Sequence, residues 1–165
     1  REKHTYVLPK FKKSSWIYLT SLGTGFEKLH QLLLKYIKTN GFQLAFNPGD
    51  KQLRAGVKVL APILEACTVL IINKEEAELI LEREIKKDYF QSLRDLRHLG
   101  PKIVIITDGP RGAYGYDGRK EYYSKPLPAK PIEMTGAGDA YATGFFSIAH
   151  IFLHHIAQED AHHPC

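Results

Sequence analysis

Four short apolar runs alternate with segments of helical periodicity, and this alternation narrows the fold more than any other feature of the chain. The runs are Ser15-Trp16-Ile17-Tyr18-Leu19-Thr20, Phe42 to Phe46, Thr68 to Ile72, and Lys102-Ile103-Val104-Ile105-Ile106. Thr24-Gly25-Phe26-Glu27 has the form of a capping box, and Phe26, Leu29, Leu33, Tyr36 and Ile37 follow at helical spacing until Gly41 stops the helix. Leu53, Val57, Leu60 and Leu64 mark a second helix, which Pro62 is expected to kink because proline removes an interior hydrogen bond. Lys74 to Glu82 and Phe90 to His98 read as two more. Strands apolar at nearly every position are buried on both faces. Alternating with amphipathic helices, they predict a three-layer α/β fold with a mostly parallel sheet. Gly112 to Tyr116 and Glu121 to Ser124, joined through Asp117-Gly118, read as an added β-hairpin.

The totals permit one domain with a real core: 165 residues, 44% hydrophobic and 25% charged. The net charge of +5 admits an anionic partner. Lys and Arg are nevertheless spread along the chain, so a solvated surface is the expected reading and no nucleic acid partner is assigned. Two cysteines give no disulfide framework. Cys67 lies in the third apolar run and is expected to be a buried, reduced thiol, which fits a cytoplasmic location. No apolar run approaches the ~20 residues that cross a bilayer, so no membrane is expected. The first residue is Arg1, and the chain is expected either to begin inside a longer protein or to be a processed form.

Three loops carry the chemistry. Thr135-Gly136-Ala137-Gly138-Asp139-Ala140 opens an apolar stretch of helical character after a proline-rich connector. Small residues let successive N–H groups converge, and a helix N-terminus adds free donors and a positive dipole end, which together hold an anion such as phosphate. Asp139 accepts only, so its use is as a base beside that anion. A glycine-rich turn before a helix is common, and this one is neither a dinucleotide fingerprint nor a Walker A loop. Asn73-Lys74-Glu75-Glu76 follows the third run. It reads either as a capping box, Asn73 to Glu76, or as a carboxylate near magnesium. Thr107-Asp108-Gly109-Pro110-Arg111-Gly112 follows the fourth run. It reads either as turn chemistry or as a loop that admits a nucleotide. Arg111 fits a phosphate contact or an exposed turn residue. Ligands of open α/β sheets sit beyond the carboxyl ends of the strands, where both of these loops lie.

Taken in order, Asn-x-x-Glu, Thr-x-Gly-x-x-Gly and Thr-Gly-Ala-Gly-Asp-Ala resemble the motifs of the ribokinase-like (PfkB) carbohydrate kinases, from about Trp16 to Phe146. The resemblance implies an ATP-dependent phosphotransferase that acts on a hydroxyl of a sugar or nucleoside. Asp139 would be the base, and the backbone of Gly136, Ala137 and Gly138 the anion hole for the γ-phosphoryl. Asn73 and Glu76 would match the family's phosphate and Mg2+ motif. Thr107, Gly109 and Gly112 would line the ATP phosphates. Some relatives bind a monovalent cation near the residues just before the motif, here Glu133 and Met134, so K+ joins ATP and Mg2+ among the implied ligands. Relatives often pair through a lid, which makes a homodimer of the full-length protein an expectation.

The same comparison implies that residues 1–165 form one partial ribokinase-like domain without the family's N-terminal substrate and lid segment or its last helices. The alternative function is therefore a truncated, non-catalytic fragment that at most binds nucleotide. The histidine-rich tail, His150 to Cys165, places His150 and His154 four apart, as some zinc ligands are. No third ligand has fitting spacing, so a solvated face is the expected reading. His4, His30 and His98 have no partners in sequence and are expected at the surface.

Overall fold

The computed structural model describes Leu8 and residues 16–126. Two units are distinguished, Arg1–Leu127 and Pro128–Cys165, and all described residues fall in the first. The elements run β1 (Trp16–Leu19), α1 (Phe26–Asn40), β2 (Gln43–Phe46), α2 (Asp50–Arg54), α3 (Val57–Glu65), β3 (Val69–Asn73), α4 (Lys74–Leu81), α5 (Tyr89–Arg97), β4 (Ile103–Thr107), a 3-10 turn (Gly109–Arg111), β5 (Ala113–Tyr116) and β6 (Glu121–Ser124).

The strands form one sheet in sequence order, β1-β2-β3-β4-β5-β6. The pairs among β1 to β4 are parallel, and the two pairs that add β5 and β6 are antiparallel. Each parallel step needs a crossover, and sequential right-handed crossovers deliver their helices to one face. That face carries Leu19, Leu44, Phe46, Leu70, Ile72, Val104 and Ile106. They form one core cluster with Phe26, Leu33 and Ile37 of α1, Leu60 and Leu64 of α3, and Leu93 and Leu96 of α5. On the opposite face Ala45, Val69, Ile71 and Ile105 are buried as well. Burial on both sides is why these strands read as continuous apolar runs. The expected α/β fold with an added hairpin is thus observed.

Three local expectations differ from the structure. The N-cap of α1 is Gly25, not Thr24, and no side chain caps it. With Gly25 at that place the third helical residue is Lys28, which has no carboxylate to return, so the capping box does not form. The second expected helix is two, α2 and α3, separated at Gly56. The break falls there because Gly56 takes φ 87, ψ 159, a conformation closed to side-chain-bearing residues. Pro62 lies inside α3 and does not end it.

His30 is the third difference, because it is buried, whereas His98 is exposed as expected. It stands one turn after Phe26 on the stripe that carries Leu33 and Ile37 inward, and its ring meets Phe26 and Phe46 at 4.9 and 5.8 Å. Its polar partner is Gln52 of α2, 22 residues away in sequence, with Nε2 to Nε2 at 3.0 Å. Gln52 is fully buried, and its Oε1 accepts from the backbone N–H of Leu22 (3.0 Å) and of Gly49 (2.9 Å). Those two backbone donors fix Oε1 as the acceptor, so Nε2 donates and His30 Nε2 must accept as a neutral imidazole. Cys67 is buried and unpaired as expected, and burial pushes its thiol far above the ordinary value.

Candidate active site

The two strand-end motifs inside the described region lie side by side. Asn73 ends β3, Thr107 ends β4, and the two are register partners on adjacent parallel strands. Both therefore stand at the carboxyl edge of the sheet, where strand-to-helix loops open to ligands.

Asn73 is the N-cap of α4. Its side chain accepts from the N–H of Glu76 at 2.8 Å, and Oε2 of Glu76 accepts from the N–H of Asn73 at 2.9 Å. The capping box is real, and it does not exclude ligand chemistry. One carboxylate oxygen of Glu76 is committed to the cap, and the other makes no hydrogen bond that the cap requires. Glu76 is half-buried. Burial lifts its carboxyl above the usual range, the Asn73 N–H acts the other way, and Glu75 adds to the lift.

Among the described residues no three His, Cys, Asp or Glu side chains converge to cage a metal. A single carboxylate suits Mg2+, which keeps its waters and is completed by substrate phosphates. Glu76 has the ligand chemistry that this role asks for.

The loop after β4 is tightly wound. The N–H of Asp108 donates to Gly112 O (2.8 Å), that of Arg111 to Asp108 O (2.8 Å) and that of Gly112 to Gly109 O (3.1 Å). Gly112 has φ 91 and ψ −150, and a Cβ there would stand 2.2 Å from the carbonyl oxygen of Ser124 on β6. Only glycine passes at this point, so Gly112 is required by the hairpin whatever else the loop does. Gly109 has open space around it, and Thr107 is half-buried.

Sequence reasoning missed the chemistry of Asp108. It is buried, yet its carboxylate takes Arg111 through Nε (2.5 Å) and Nη2 (3.0 Å) and also accepts from the hydroxyl of Tyr89 on α5. Burial would raise the Asp108 carboxyl, but the hydrogen bonds of Arg111 and Tyr89, with the charges of Arg111 and Lys74, outweigh it and hold the carboxyl below its usual range. Burial and the Asp108 carboxylate push the Tyr89 phenol up to about 12. Tyr89 stacks on Tyr114 of β5 at 4.0 Å, with ring planes 7° apart. Asp108 and Arg111 sit together in the motif, but Tyr89 is 19 residues upstream and nothing local points to it.

The structure thus brings together Asn73, Glu76, Thr107, Gly109 and Gly112 at one edge of the sheet. The expected anion hole, Gly136, Ala137 and Gly138, the expected base Asp139, the K+ stretch at Glu133, and His150 and His154 lie outside the described residues. Among the described residues no helix is long and apolar enough to cross a membrane.

Comparison with known proteins bears on the family and the fold. The chain is 29% identical over 136 residues to an uncharacterized sugar kinase of Archaeoglobus fulgidus, spanning 81% of the chain and 52% of that relative. It is 33% identical over 118 residues to a cytidine kinase of Thermococcus kodakarensis, spanning 70% of the chain and 41% of the relative. The chain thus spans about half the length of the relatives it matches. In fold it resembles phosphofructokinase-2 of Escherichia coli, with TM-score 0.61 and 24% identity over 75% of the chain and 40% of that structure. The family model described as pfkB family carbohydrate kinase matches residues 2–149, nearly the whole chain, and the chain belongs to that family.

Proposed function

We propose that this chain is the nucleotide-binding and phosphoryl-transfer part of an ATP-dependent kinase whose acceptor is a hydroxyl of a sugar or nucleoside. The observation that carries this reading is the pairing of Asn73 with Thr107 at the carboxyl ends of adjacent parallel strands, in a chain of the pfkB family. The two related names, a sugar kinase and a cytidine kinase, support an acceptor of either class.

In this reading the phosphates of ATP lie along the Thr107 loop, with Gly109 leaving room for close approach. Asn73 stands at the N-terminus of α4, where free N–H groups and the dipole favour anions. Glu76 would hold Mg2+ together with the nucleotide phosphates. When bound, the ion offsets charge on the phosphoryl oxygens. Asp139 takes the proton of the acceptor hydroxyl as its oxygen bonds to the γ-phosphorus and ADP leaves. The backbone donors of Gly136, Ala137 and Gly138 act on the oxygens where charge builds. K+ near Glu133 and pairing of the full-length protein belong to the same proposal.

Asp139→Asn in the full-length protein tests the central step, with Mg2+-dependent transfer from ATP followed over a panel of sugars and nucleosides. Turnover is expected to fall at least a hundredfold, the lower end of what a positioned acid or base contributes. Turnover within a few-fold of wild type would overturn the assignment. A second reading is a nucleotide-binding piece without turnover of its own. The shares of 52% and 41% of the relatives' lengths favour it, and assaying residues 1–165 alone beside the full-length protein separates the two.

A further inference from the structure

Arg111 is held by a device larger than its own turn requires. A turn arginine paired with an aspartate three residues before it needs no third partner. Here the shared carboxylate of Asp108 is also gripped by Tyr89, which arrives from α5 and is itself buried and stacked on Tyr114. The carboxylate is only 7% exposed, whereas the Arg111 side chain is 60% exposed. The guanidinium is therefore anchored from the inside and presented outward. It stands in the loop that follows Thr107, whose register partner Asn73 caps α4. A guanidinium has more N–H donors than one carboxylate takes, and its planar fork matches phosphate. Holding it in place beforehand removes much of the ordering cost that a free arginine meets on binding.

We propose that Tyr89 and Asp108 are positioning residues that present Arg111 to a phosphate of the bound nucleotide. The proposal rests on the nucleotide reading above. It adds one residue that touches the ligand and two that act through it. The charged and titratable groups acting on the Asp108 carboxylate are Arg111 of the loop, Tyr89 of α5 and Lys74 of α4. A carboxylate kept ionised in this company remains a fixed anchor for the guanidinium across the neutral range.

A double-mutant cycle on the full-length protein tests it, with ATP plus Mg2+ as the probe and calorimetric affinity as the readout. Arg111→Gln is expected to weaken binding about tenfold or more and to flatten its salt dependence. Tyr89→Phe keeps the ring stack and removes only the hydroxyl, and is expected to weaken binding about threefold. The decisive variant carries both changes. If Tyr89 acts through Arg111, the double variant binds no worse than Arg111→Gln alone, because the coupling cancels the second loss. A merely structural hydroxyl would weaken both backgrounds equally, and that result overturns the proposal, as does Arg111→Gln binding within twofold of wild type. Absence of ATP binding by the wild-type protein is a different result and removes the nucleotide reading itself.

Discussion

Gln52 joins three segments of the fold through one buried amide, so its removal is the sharpest test of how this core is held. In Gln52→Leu the side-chain volume is nearly kept, while the N–H groups of Gly49 and Leu22 lose their acceptor and His30 loses its donor. An unsatisfied buried polar group costs about 1–3 kcal/mol. The Gly49 contact is fully buried and the Leu22 contact only partly so, which gives a total of about 2–4 kcal/mol. With a urea m-value of about 2 kcal/mol/M, in the middle of the usual range, the midpoint should fall by about 1–2 M at unchanged m. A loss below about 0.5 kcal/mol would refute the reasoning, since that is the size of an ordinary surface substitution. The same site carries a pH signature. Burial lowers the His30 pKa from 6.5, with Glu27 of α1 acting the other way, while β2 and α2 present only the uncharged Phe46 and Gln52. Between the depressed folded value and 6.5 the unfolded chain binds more protons, so stability rises with pH there, is complete above 6.5, and is lost on acidification. Gln52→Glu keeps the acceptor and replaces the donor by a carboxylate that favours a protonated imidazole. His30 should then titrate higher, and its contribution to the slope should shrink or reverse. An unchanged slope in pH-dependent urea melts would contradict the assigned hydrogen-bond directions.

Two further perturbations separate structural from ligand roles at the strand ends. Asn73→Ala should lower stability by about 1 kcal/mol without nucleotide, through loss of the cap on the Glu76 N–H, as read in a thermal melt. No change would mean that the cap is idle. Gly112→Ala should cost much more than Gly109→Ala. Both glycines have positive φ, worth about 1–2 kcal/mol of strain for alanine, but only Gly112 would also drive a Cβ into the Ser124 carbonyl. Equal losses in apo melts would show that the hairpin does not crowd Gly112 in solution.

Much of the fold was legible in the sequence because its signals are local. Each apolar run became a strand, and the sheet order follows chain order, so the strand-end motifs were bound to meet at one edge. Asn73 and Glu76 were equally legible, since a capping box spans a single turn. The parts that stayed hidden depend on spacing in space. His30 shares the apolar stripe of α1, but the partner that lets its ring nitrogen be buried, Gln52, comes only with α2. Thr24 looked like a cap because the pattern does not say which residue of Thr24-Gly25 ends the loop.

The sequence alone determined the layer architecture, the hairpin and the identity of the three loop motifs, because periodicity and turn chemistry act over a few residues. Tertiary structure decided what the two described motifs, at Asn73 and at Thr107, lean on. A carboxylate can be buried at Asp108 only if donors surround it, and one of them, Tyr89, comes from a helix that the chain reaches long before the loop exists. Satisfying a buried charge is a condition on the assembled interior, and no stretch of sequence states it.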